Sequence, residues 1–170
     1  MEALRALLQF CTILPLGAPA DYNAYMRNSY LLPVAGWVTG GIAALIALAV
    51  PVSSVSAALV LAAVLIITGC NHFDGLLDLG DAMMAHGSRE IRIRALTDRQ
   101  IGAGGVGLGM LTLLVAYAGL TSVASIAVTI LVAEVLAKLV MLLLITFGTP
   151  FKEGMFSYMH GFVKVWFPIP

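Results

Sequence analysis

The stretch TSVASIAVTILVAEVLAKLVMLLLITF, Thr121 to Phe147, decides the fold: it runs for 27 residues with two charges, Glu134 and Lys138, and no proline. About 20 mostly apolar residues at ~1.5 Å rise suffice to cross ~30 Å of hydrocarbon. Outward from it, three further segments meet the same test: Tyr30 to Val50, Ser53 to Cys70 and Ala103 to Leu120. Pro51 and the Gly119-Leu120-Thr121 run leave little room for loops, so neighbouring spans are expected as antiparallel hairpins. The whole chain agrees, with 170 residues, 61% hydrophobic, 11% charged and a mean hydropathy of +1.00. A soluble domain is about half apolar and a quarter charged, so soluble and disordered classes are both excluded. The expectation is an all-α, polytopic membrane helix bundle in one integral-membrane domain over 1–170. It has about four transmembrane spans and an N-terminal interfacial or reentrant segment, Met1 to Leu16, which lacks a small-x-small cleavage site.

Nine Lys and Arg balance nine Asp and Glu, so no net charge attracts nucleic acid, and none is expected as a partner. Placement says more than the sum. Arg5 and Arg27 precede the first span, Arg89, Arg92, Arg94 and Arg99 lie between the second and third, and Lys152 and Lys164 follow the fourth. With four crossings all eight fall on one side, and the opposite turns carry none. By the positive-inside rule that side, with region 71–100, is the cytoplasmic face of the cell membrane. Cys11 and Cys70 show neither C-x-x-C nor Cys/His spacing and read as small apolar residues.

Half of the charged residues fall between Asn71 and Gln100. The run Asn71-His72-Phe73-Asp74-Gly75-Leu76-Leu77-Asp78-Leu79-Gly80-Asp81 meets no breaker before Gly75, so it is expected to continue the second apolar helix out of the membrane. Spacings of four and three place Asp74, Asp78 and Asp81 on one helix face. Three like charges so close repel unless neutralised, and Mg²⁺ is held by a few carboxylates plus substrate phosphate oxygens. The bland alternative is a solvated helix end. His72 points away from the carboxylates, as an interfacial or hydrogen-bonded histidine or as a residue lining the site. His86 and His160 show no partner pattern.

Four arginines in eleven residues suit a diphosphate, because the guanidinium fork pairs bidentately with phosphate; they also suit anionic lipid. Both readings stand for Arg89 and Arg92, while Arg94 and Arg99 are taken as candidate phosphate ligands. Gly102-Ala103-Gly104-Gly105-Val106-Gly107 spells G-x-G-x-x-G, yet no strand precedes it and no acid follows at the required distance. Together with Gly36-x-x-x-Gly40 and Gly105-x-x-x-Gly109, these glycines are read as sites of close helix packing. Glu134 and Lys138, one turn apart, are either a self-neutralising pair or site-facing, with Lys138 reaching a phosphate.

His72-Phe73-Asp74-Gly75-Leu76-x-Asp78-x-x-Asp81, followed by Asp98-x-x-Ile101-Gly102-x-x-Gly105, resembles the H-x-D-G-L-x-D-x-x-D and D-S-x-x-G-x-x-G pattern of the cobalamin synthase family. Phe10-x-Thr12-x-x-Pro15, Pro33-x-x-Gly36-x-x-x-Gly40, Glu134-x-x-x-Lys138 and Glu153-Gly154 are similar to that family less specifically. The resemblance implies a Mg²⁺-dependent membrane transferase that joins adenosylcobinamide-GDP to α-ribazole, or its 5′-phosphate, and releases GMP. It implies metal ligation by Asp74, Asp78 and Asp81, with Asp81 or Asp98 as the base. His72 and Asp98 match family positions; Thr97 and Arg99 depart from them. Family members continue for several more spans, so the chain is expected to be shortened, divergent or incomplete, with a homo-oligomer as one source of missing walls. Two rivals remain. A CDP-alcohol phosphotransferase also uses clustered aspartates but needs an Ala-Arg that Leu76-Leu77 replaces, and a divalent-cation transporter needs polar residues through the membrane depth that these spans lack.

Overall fold

A computed structural model describes residues 2–168, and among them every regular element is helical. The order is α1 (Glu2–Cys11), α2 (Tyr22–Met26), a 3₁₀ turn (Ser29–Leu31), α3 (Leu32–Ala49), α4 (Ser53–Ile67), α5 (Asn71–Met84), α6 (Arg89–Leu96), α7 (Ala103–Thr121), α8 (Ile126–Phe147) and α9 (Met155–His160). Three segments are long and apolar enough to cross a bilayer: Ser29–Ala49, Ala103–Thr121 and Ile126–Phe147. Their outward faces carry Leu45, Leu48, Leu111, Leu114, Val128, Leu136 and Leu144, all exposed. Such apolar exposure suits lipid tails as the surrounding solvent.

The fourth segment is where the structure departs from the sequence reading. α4 stops at Ile67, and α5 leaves it at 94° instead of continuing it. The breaker is Gly69, with φ +62°, followed by Cys70 at φ +58°. The Gly69 N–H donates to the Ile66 carbonyl at 2.9 Å and the Cys70 N–H to the Leu65 carbonyl at 2.8 Å. These are the two bonds of a Schellman end, which satisfies the last carbonyls of a helix and requires a left-handed residue. Gly75, the first potential breaker in the sequence, lies inside α5 with open space around it, whereas the break falls earlier, at Gly69. Cys70, read as a small apolar residue, is exposed at the left-handed corner, whereas Cys11 is buried.

Glycines set the tightest helix contacts, as their spacing suggested. A Cβ on Gly36 would lie 2.6 Å from the Glu134 carbonyl oxygen, and one on Gly40 would lie 3.0 Å from the Leu131 Cα. α3 and α8 therefore approach backbone to backbone, and they form the most extensive helix pair. The second spaced pair seats α5 on α7: Gly105 meets the Leu77 carbonyl, and Gly109 meets the side chains of Leu77 and Phe73. One apolar cluster joins α1, α2, the start of α3 and the end of α8 through Leu7, Tyr25, Leu32 and Leu142. A second, around Ala43, Ala57, Val60, Leu120 and Ile130, closes the opposite end. Within the expected N-terminal segment the described residues form one helix, α1 of 10 residues, and with the 5-residue α2 that follows it packs on one end of the bundle.

Candidate functional site

α5 brings its carboxylates to the end of the bundle where α7 begins and α8 ends. Asp74 and Asp78, one turn apart, line a cleft of about 420 Å³ whose other walls are Leu96, Thr97, Asp98, Arg99, Ile101 and Lys152. The α6–α7 loop supplies most of the opposing wall, and Lys152 arrives from the segment after α8. Among the described residues, neither Asp74 nor Asp78 accepts a side-chain hydrogen bond, and Asp98 accepts one, at 3.3 Å from the Gln100 N–H to Oδ1. The Asp78 carboxyl is pushed above the usual range by desolvation first, and then by the Asp74 and Asp81 carboxylates.

Asp81 has different surroundings. Its Oδ2 accepts from the Gly102 N–H and its Oδ1 from the Gly105 N–H, each at 2.7 Å. It borders a smaller hollow of about 300 Å³ with Ala95, Asp98, Gln100, Ile101 and Gly102. Asp98 and Ile101 face both spaces. Of the arginines, Arg99 lines the cleft, whereas Arg89, Arg92 and Arg94 are exposed on α6 and line neither space.

Glu134 and Lys138 bond to other helices. The Thr39 hydroxyl of α3 donates to Glu134 Oε2 at 2.7 Å. Lys138, only 3% exposed, places Nζ 3.1 Å from Nε2 of His72. Its ammonium is a donor only, so His72 accepts through Nε2 and keeps its proton on Nδ1. His72 borders a separate cleft of about 530 Å³ with Gln9, Phe10, Tyr22, Asn71, Met141 and Met155. The structure thus gathers Asp74, Asp78, Asp98 and Arg99 in one cleft, sets Asp81 in the adjoining hollow that shares Asp98 and Ile101 with it, and places His72, Lys138 and Glu134 elsewhere. Lys152 is the cleft residue that sequence reasoning passed over, counting it only among the positive-inside residues.

Among the described residues, no three His, Cys, Asp or Glu side chains converge tightly enough to enclose a metal ion unaided. Asp74 and Asp78, whose carboxylates accept no hydrogen bond among the described residues, are the cleft side chains that could hold a divalent cation together with water and phosphate oxygens.

Membrane-crossing helices with a carboxylate and cation cleft at one end define the chain as a polytopic helical membrane protein with a polar site at the bundle mouth. The model of the cobalamin-5-phosphate synthase family matches residues 3–169, and the chain belongs to that family. Relatives named adenosylcobinamide-GDP ribazoletransferase include that of Methanococcoides burtonii, 37% identical over 91% of this chain and 63% of its own length. That of Methanocella arvoryzae is 37% identical over 96% of this chain and 64% of the relative. That of Halorubrum lacusprofundi is 37% identical over 95% and 68%. The chain therefore spans just under two thirds of the first two relatives. No solved structure matches it.

Proposed function

We propose that this chain carries the phosphoryl-transfer site of an adenosylcobinamide-GDP ribazoletransferase. One observation carries the reading: Asp74 and Asp78 face Asp98, Arg99 and Lys152 across a single cleft. The names of the relatives point to adenosylcobinamide-GDP and a ribazole as the substrates, and the family's description, cobalamin-5-phosphate synthase, points to ribazole 5′-phosphate as one form of the acceptor. Family membership leaves the two rival readings, CDP-alcohol transfer and cation transport, without support.

Arg99 pairs its guanidinium fork with the diphosphate, and Lys152 adds a mobile point charge. Asp98, with one oxygen free of protein hydrogen bonds, takes the proton of the attacking ribose hydroxyl. The hydroxyl oxygen bonds to the phosphorus on the cobinamide side, and the bond to the GMP oxygen breaks in line. Mg²⁺ held by Asp74 and Asp78 would supply neutralisation of the charge that develops on the phosphoryl oxygens.

The test is turnover in lipid with Mg²⁺, adenosylcobinamide-GDP and α-ribazole phosphate, following GMP release. Asp78→Asn is expected to lose activity by on the order of a hundredfold or more, with substitution at exposed Arg92 nearly silent. Equal turnover of Asp78→Asn and parent would refute the assignment of the cleft.

A further inference from the structure

We infer that Asp81 is a positioning residue that clamps the wall of the cleft, and that it is not a ligand of the cation. The inference rests on reading the cleft as the phosphoryl-transfer site, and it divides the work among the three α5 carboxylates.

α7 begins with Gly102 as its N-cap, and glycine has no side-chain oxygen to offer the first turn. In an ordinary cap the N-cap side chain accepts the N–H of N2 or N3. Here Gly105 is the third helical residue, and its N–H donates to Asp81 of α5, as does that of Gly102 itself. One carboxylate from another helix therefore caps α7, at the end where the helix dipole favours negative charge. Each oxygen already accepts one short bond and the helix N-terminus complements its charge, so a cation would gain less at Asp81 and would have to share those oxygens with the two N–H donors. Asp74 and Asp78 have no such partners.

The contact is built for closeness. A Cβ on Gly105 would stand 2.7 Å from Asp81 Oδ2, and one on Gly102 would also collide with the carboxylate. Gly80, one residue before, packs against the Gly104 carbonyl, where a Cβ would lie at 2.8 Å. Asp98 and Arg99 stand four and three residues before the clamped Gly102, so the Asp81 clamp fixes the loop that holds them opposite Asp74 and Asp78. An error of about 1 Å in such a wall can cost on the order of a hundredfold in rate.

Three readouts test this on the chain in lipid. Hydrogen exchange of the Gly102 and Gly105 amides, followed by NMR, is expected to show protection in EDTA that Mg²⁺ does not weaken. Absent protection, or protection lost on adding Mg²⁺, would overturn the proposal without any variant. Mn²⁺ binding by electron paramagnetic resonance is expected to be unchanged in Asp81→Asn and weakened in Asp78→Asn; weakening in both would make Asp81 a ligand. Well below its melting temperature, Asp81→Asn should lose about tenfold or more in kcat at unchanged KM for Mg²⁺, and Gly102→Ala should do the same. An unchanged kcat with a lowered melting temperature would reduce Asp81 to a purely structural cap. Absence of turnover in the parent bears on the proposed function alone, because the exchange and Mn²⁺ measurements do not use it.

Discussion

Asp78 shows how a residue can be electrostatically ill-placed until something arrives. Desolvation and its two carboxylate neighbours raise its pKa, so the folded chain binds a proton there more readily than the unfolded chain does. The ionised carboxylate therefore opposes folding above its folded pKa, and that opposition disappears as pH falls through it. In EDTA at pH 7, Asp78→Asn should melt above the parent, by an amount comparable to relief of one or two like-charge helix pairs, ~0.2–0.5 kcal/mol each. Scanning calorimetry in detergent should show the gap close in acid. Lys138 and His72 make the complementary case. His72→Ala strands a buried ammonium and should cost about 3 kcal/mol, whereas Lys138→Met removes the charge itself and should cost far less. Thermal denaturation of the two variants checks the order; equal losses would contradict it. The pairing of Asp74 and Asp78 on one helix face was legible from their four-residue spacing. Division of roles among the three α5 carboxylates was not, because the donors that occupy Asp81 come from backbone N–H groups of another helix, which leave no mark in side-chain spacing.

At the scale of elements, the outcome turned on which glycine ends a helix. Gly69 and Gly75 look alike in sequence, and neither is followed by proline. Only Gly69 adopts a positive φ, and a Cβ there would meet the Ile13 side chain at 2.7 Å. Gly69→Ala is expected to destabilise by roughly 1–2 kcal/mol, while Gly75→Ala, in open space within α5, should stabilise by up to ~1 kcal/mol. Melting the two variants side by side tests the position of the break; the opposite order would restore a continuous α4–α5 helix. The long spans were readable because uninterrupted apolar runs have one solution in lipid. The α3–α8 seam was readable because Gly36 and Gly40, four apart, leave one helix face bare.

The molecule as a whole has a polar end, where the acid cleft and the N-terminal helices gather, and an apolar end closed by the short connections at 50–52 and 122–125. Orientation rests on the eight Lys and Arg assigned to the polar end. A single cysteine at His86, in the exposed α5–α6 loop, should react with an impermeant maleimide only from the cytoplasmic side, and one at Ala124 only from the other, both in a Cys70→Ser background. Reversed labelling would invert the topology.

The right-angled end of α4 also shapes the bilayer around the protein. Its 15 residues span ~22 Å at ~1.5 Å each, against ~30 Å of hydrocarbon. Lipid on that flank meets a wall shorter than its own thickness, while lipid beside the 22-residue α8 does not. Such mismatch is relieved by local thinning or by tilt. Thinning would draw the headgroup layer down towards α5, so that water and phosphate reach the aspartates at a dip in the membrane surface.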